Sequence, residues 1–191
     1  LLPFYLPWVA GVLANGKGAQ DDIVMTVMLW RLDADDIAGA LEIARYAMTY
    51  GLTMPTGRRP TPYLLAEEVA LAAQRLLAAK QPVELANLLD TIALTERADM
   101  PDIVRAKLHK ITGYVLRDAS QLPEALAHLQ RAIQLERTIG VKKDIEQLER
   151  QLRPKPEPAP KTKTTKPRTR KPAAKPAGRR GRPPKAAKAA G

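Results

Sequence analysis

The residues of this chain best suited to a defined chemistry lie at its C-terminal end, in Arg179-Arg180-Gly181-Arg182-Pro183-Pro184-Lys185. The core Arg180-Gly181-Arg182-Pro183 is that of an AT-hook. Glycine lets such a backbone lie on the floor of a narrow minor groove, proline keeps it extended, and the two arginines run along the negative A·T groove. The competing reading is a plain polycationic arm that grips phosphates without preference; both readings bind DNA and differ only in A·T preference. Upstream, Lys161, Lys163, Lys166, Arg168, Arg170 and Lys171 form a second basic run. This is an affinity element whose grip falls steeply with salt, although a nuclear localisation signal has the same composition.

Other chemistries find less support. The absence of cysteine excludes disulfides, Cys-type zinc sites and thiol catalysis. His109 and His128 are the two histidines, too few for a histidine cage, and are expected as surface or core-edge residues. Gly11-Val12-Leu13-Ala14-Asn15-Gly16-Lys17 matches the start of a phosphate-binding loop, but Gly18 stands where a hydroxyl must hold magnesium. A helix stop and turn explains these glycines. Nuclease chemistry needs converging carboxylates to hold magnesium. Acids cluster at Asp21/Asp22, Asp33/Asp35/Asp36, Glu67/Glu68 and Asp99/Asp102, and all but Glu67/Glu68 fall near helix starts, where capping accounts for them. No catalytic residue or cofactor is evident, and magnesium enters only if the body itself cuts DNA.

What positions the basic residues is a sharp division of the chain. Of the net charge of +11 over 191 residues, residues 1–152 carry −2 and residues 153–191 carry +13. From Pro154 onward there is no Leu, Ile, Val, Met or aromatic residue, and nine of the seventeen prolines lie there. Such a segment buries nothing and is expected to be disordered in isolation. The body, in contrast, is rich in Leu, Ala, Met and Glu with little β-branched alternation, which predicts an all-α fold of packed helical hairpins. Its opening, broken by Pro3 and Pro7, reads as neither signal peptide nor membrane span, and a soluble protein is expected.

Helices are predicted from about Asp21 to Leu32, Asp36 to Tyr50, Tyr63 to Ala79, Val83 to Arg97, Pro101 to Arg117 and Pro123 to Ile139. Gly51 is the expected stop of the second, and Pro101 and Pro123 are first-turn prolines. Ile37 to Leu41 with Ala47 echoes Leu122 to Leu126 with Ala132, a pattern of small residues suited to close helix pairs. The prolines of residues 53–62 make the longest break, where Arg58 and Arg59 are a second candidate contact beside the plainer reading of a solvated loop. Val141, Ile145, Leu148 and Leu152 form a short heptad seam. It can pack on its own body or pair with another subunit, and the polar opposite face tilts the expectation towards the subunit contact.

Read as words, the body carries a resemblance. Leu6-Pro7-Trp8-Val9, Gly18-Ala19-Gln20-Asp21-Asp22, Met25-Thr26-Val27-Met28-Leu29-Trp30-Arg31, Tyr50-Gly51-Leu52-Thr53-Met54-Pro55, Ala98-Asp99-Met100-Pro101 and Gly140-Val141-Lys142-Lys143 are among the strings that carry it. Together they closely resemble the terminase small subunit, also labelled the terminase endonuclease subunit, of peduovirus-type tailed phages. Members of that family open with a further Lys/Arg-rich helical segment. This chain opens on Leu, so it is expected to begin inside a longer product.

The resemblance implies a subunit that binds double-stranded viral DNA at the cohesive-end site. It would work with a large ATPase subunit in cutting and packaging the genome, in the cytoplasm of a bacterial host. A homo-oligomer, such as a ring, is expected, with no membrane partner. Two alternatives stand beside this reading. The body may itself be a metal-dependent cohesive-end endonuclease, or the chain may be an architectural protein that condenses DNA without sequence preference.

Overall fold

The computed structural model describes residues 2–55, 57 and 59–153, and among them every regular element is a helix. The order is α1 (Leu2–Asn15), α2 (Asp22–Asp33), α3 (Ile37–Tyr50), α4 (Thr61–Ala78), α5 (Leu85–Thr95), α6 (Asp102–Asp118), α7 (Leu122–Leu135) and α8 (Lys142–Leu152). All eight belong to one compact unit. The all-α expectation for the body holds; the disorder expected of the basic tail concerns residues outside those described.

Capping explains most boundaries. Asp21 caps α2 by accepting from the Val24 N–H at 2.9 Å, and Asp36 caps α3 by accepting from the Gly39 N–H at 2.9 Å. Each satisfies a donor that the first helical turn leaves without a partner. Gly51, at φ 69°, stops α3. Three further helix ends close in the same left-handed way on Asp35, Lys80 and Ser120, at φ 61°, 56° and 62°. In each, the next residue's N–H reaches five residues back, as from Gln121 to the Leu116 carbonyl at 2.9 Å.

The opening segment is helical and ends at the expected glycine turn: Pro3 lies in the first turn, where no N–H is needed, and Pro7 forgoes one bond. One boundary departs clearly from the sequence expectation. At the other end, α7 stops at Leu135 and not near Ile139. The Glu136 carboxylate accepts from both the N–H and the hydroxyl of Thr138, at 2.8 and 2.6 Å, a local turn that competes with the helix.

The main core gathers α1 to α6 around α2 and α3. Val24, Met25, Val27, Met28 and Leu32 of α2 are fully buried with Leu41 and Ile43 of α3, Leu65 and Val69 of α4 and Leu88 of α5. A second cluster, Leu116, Ala125, Leu129, Val141 and Leu148, joins α6, α7 and α8. Small residues bring the helices together. A Cβ on Gly113 of α6 would stand 2.6 Å from Leu129 Cδ2 and 3.3 Å from the Ala125 carbonyl oxygen of α7. The paired patterns around Ala47 and Ala132 do serve helix packing, with Ala40, Ala47, Ala125 and Ala132 all buried.

The same α6–α7 contact holds the two histidines, half-buried at the core edge, against each other, a pairing that their positions in sequence do not announce. Their Nδ1 atoms lie 3.0 Å apart, a hydrogen bond that needs one ring to donate and the other to accept. Burial, the neighbouring His128 and the guanidinium groups of Arg131 and Arg105 hold His109 down to about 4, and burial lowers His128 as well.

Two predictions follow from this packing. Gly113→Val should cost about 1–3 kcal/mol in urea unfolding through overpacking. Combining it with Leu129→Ala should cost less than the two single changes added, because both act on one contact. For His109, the unfolded chain takes up a proton near pH 6.5 that the folded chain refuses until about pH 4. Stability should therefore fall as pH drops from about 6.5 towards 4, and His109→Gln should flatten that part of the urea-midpoint profile.

Candidate functional site

The basic residues singled out for DNA, Lys161, Lys163, Lys166, Arg168, Arg170, Lys171, Arg179, Arg180, Gly181, Arg182, Pro183 and Lys185, all lie outside the described residues, as does Arg58. Arg59 is described. It ion-pairs with Glu67 and lies 5.5 Å from the centroid of the Tyr63 ring, so its guanidinium is engaged within its own chain.

The heptad seam needs a correction. Val141 and Leu148 are fully buried in the second core cluster and Ile145 packs against it, which leaves Leu152 as the exposed member. The apolar stripe of α8 is thus spent on α6 and α7, the first of the two readings open from sequence. The polar opposite face that suggested a second subunit is what any helix on the edge of a bundle presents to water.

The look-alike phosphate loop is filled by aromatic side chains. The Tyr46 hydroxyl accepts from the Gly18 N–H at 2.9 Å, and a Cβ on Gly18 would stand 2.5 Å from Tyr50 Cγ. Gly18 also has φ 80°, so turn and tyrosine packing both explain this glycine.

The carboxylates have structural employment. Asp21 caps α2 with one oxygen and accepts from the Trp8 indole N–H with the other, at 2.9 Å. Asp36 caps α3 and pairs with Arg31 at 2.8 Å, while Asp35 pairs with Arg75 at 2.8 Å. Asp102 lies in the first turn of α6. Glu68 is held above the usual carboxylate range by burial first and by the neighbouring Glu67 and Asp33 carboxylates second. Among the described residues no three His, Asp or Glu side chains converge as a metal site requires.

Two features had no single-residue signal in the sequence. The first is the His109–His128 pair, 19 positions apart; only the hairpin turn near Ser120, which folds α7 back along α6, brings the two together. The second is the outer face of α1, where Phe4 is 79% and Trp8 54% exposed. A groove of about 600 Å³ also runs between α4 and α6, with Leu71, Leu77 and Ile111 among its apolar lining. Its cations are largely engaged: Lys110 donates to the Ile139 carbonyl at 2.8 Å, and Arg117 pairs with Asp118 at 3.0 Å and lies over the Tyr114 ring. The Tyr114 hydroxyl donates to Asp144 at 3.1 Å; burial and that carboxylate push it up to about 12.

Comparison with known proteins accounts for the chain as a whole. The family model described as phage small terminase subunit matches residues 1–103. The terminase, endonuclease subunit, of Escherichia phage P2 is 64% identical over 188 residues, which is 98% of this chain and 75% of that protein. The probable terminase, endonuclease subunit, of Haemophilus phage HP1 is 28% identical over 161 residues, 76% of this chain and 57% of that protein. No solved structure matches. A family model over more than half the chain and a relative sharing nearly two residues in three lead to one conclusion: the chain belongs to the phage small terminase subunits, proteins of viral DNA packaging.

Proposed function

We propose that this chain is the DNA-recognition and regulatory subunit of a packaging terminase. It binds double-stranded viral DNA at the cohesive-end site and directs a large ATPase subunit that cuts and packages the genome. It acts in the host cytoplasm as a homo-oligomer. The observation that carries the reading is the segregation of charge on a small terminase subunit: −2 over residues 1–152 against +13 over residues 153–191. A near-neutral helical body gives DNA little general attraction, so the long-range pull rests with the tail. Arg180, Gly181, Arg182 and Lys185 supply the minor-groove element and Lys161 to Lys171 the phosphate grip.

The names of the two phage relatives favour a second reading, in which the body itself cuts DNA with magnesium. Against it stands the structural employment of the acids, since Asp21, Asp35, Asp36 and Glu67 are each engaged in a cap or an ion pair. A third reading, simple DNA condensation, requires no preference for the cohesive-end sequence.

One experiment separates the three. The purified subunit, without large subunit, is incubated with cohesive-end DNA and magnesium while binding and cutting are scored together. Specific binding without cleavage is expected. Metal-dependent cutting establishes the second reading, and binding indifferent to sequence the third. Truncation after Arg153 should abolish most of the affinity. Binding by the intact chain should fall by about 10³-fold or more between 50 and 200 mM salt if six or more phosphates are neutralised. Arg180→Ala with Arg182→Ala should remove preference for A·T-rich duplex while keeping the salt-sensitive binding.

A further inference from the structure

The two histidines of the α6–α7 hairpin belong to a larger group of nitrogen side chains. Arg105 stands four residues before His109 on α6, and Arg131 three residues after His128 on α7. Those spacings put each arginine on the same helix face as its histidine. Because α7 runs back along α6 with the histidines in register, both arginines fall on one side of the pair, away from the Ser120 turn. Their positive charges reach His109 from both helices.

This group lacks the compensation found elsewhere in the body. Arg31, Arg45, Arg59, Arg75 and Arg117 are each ion-paired, whereas neither Arg105 nor Arg131 has a carboxylate partner among the described residues. Arg105 is anchored by a bond to the Ala98 carbonyl, and Arg131 reaches Gln134 at 3.5 Å. The charges that act on His109 are those of His128, Arg131 and Arg105, while His128 feels burial alone. Helices α5 and α8, packed against this hairpin, add none. Asp102 and Glu124, the carboxylates nearest to these groups along α6 and α7, shift neither ring.

The bond between the Nδ1 atoms occupies one nitrogen of each ring. Neither Nε2 has a partner among the described residues and neither is a buried orphan, so both meet water. In the neutral pair one Nε2 carries a proton and the other is an acceptor. A single proton taken from solvent by that acceptor turns both outer edges into donors and leaves the Nδ1 bond intact.

We propose that Arg105, His109, His128 and Arg131 form a phosphate-binding site on the helical body, in addition to the basic tail, that takes up one proton as it fills. Guanidinium groups match phosphate oxygens in geometry and charge, and the two Nε2–H edges add donors beside them. The phosphate supplies the negative charge that the group lacks. Without it the proton is refused, because burial and the neighbouring cations hold His109 down to about 4. A metal ion is a poor occupant, since two fixed cations flank the rings. The phosphate may belong to the DNA backbone or be a free ion, and both present the same chemistry. One such contact leaves the greater part of DNA affinity with the tail and fixes where the body sits on the duplex.

The chain has two histidines, so proton NMR of the intact protein gives two ring Cε1–H signals, told apart with His128→Gln. Both are followed from about pH 7.5 to about pH 4.5 at constant chloride, alone, with inorganic phosphate and with duplex DNA. The bound phosphate should raise the His109 midpoint from about 4 towards the ordinary 6.5. A rise of that size makes binding about tenfold tighter at about pH 5.5 than at about pH 7.5, where the Lys and Arg of the tail do not titrate. Arg131→Gln separates binding from packing. Loss of a like charge should raise His109 in the free protein, while the further rise on adding phosphate shrinks. A response to both sources assigns the site to the DNA backbone, and a response to inorganic phosphate alone assigns it to the free ion. No response to either, or an undiminished rise in Arg131→Gln, overturns the site; a duplex that still binds then leaves the tail reading standing.

Discussion

Close approach of helices over alanine and glycine is the constraint on which the rest of the body depends. The chain has one Phe, two Trp and five Tyr in 191 residues, so aromatic bulk cannot fill wide gaps between helices. The helices instead come near one another where Ala40, Ala44 and Ala47 of α3, Ala66 and Ala73 of α4, and Ala125 and Ala132 of α7 are buried. Leu, Met and Val then interlock in the narrow space that remains. Packing at such density tolerates little change in volume, which is why a single added methyl at Gly113 meets both a side chain and a backbone carbonyl.

That economy shapes where function can reside. Asp21, Asp35, Asp36 and Glu67 are committed to caps or ion pairs, Lys110 and Arg117 of the α4–α6 groove are tied to Ile139, Asp118 and the Tyr114 ring, and Gly16 and Gly18 of the look-alike phosphate loop are packed by Tyr46 and Tyr50. The outer side of α1 is apolar and uncharged, with Phe4 and Trp8 exposed. A neutral scaffold of this kind suits a packaging subunit whose DNA affinity is proposed to lie in a separate basic segment. Electrostatic attraction and subunit contact can then be tuned independently.

Much of the helical layout was legible because its signals are local. Asp21 and Asp36 as caps, Gly51 as a stop and Pro123 in a first turn each act on backbone groups within four residues. Three other stops were placed within a residue, although the left-handed residues that close them, Asp35, Lys80 and Ser120, are not glycines. The early end of α7 was hidden in the Glu136–Thr138 turn, a competition between side chain and backbone that periodicity does not register.

By itself, then, the sequence determined the helical class of the body, most of its turns, the confinement of positive charge to residues 153–191 and the family likeness. All of these depend on residue type or on interactions between near neighbours. Only the tertiary structure decided which face of each helix is covered. It turned Val141 and Leu148 of α8 inward, joined His109 to His128 and left Phe4 and Trp8 outside. The physical reason is that an apolar stripe states that it will be buried but not against what. The partner is chosen by how eight helices share one limited interior, and that choice is a property of the whole chain.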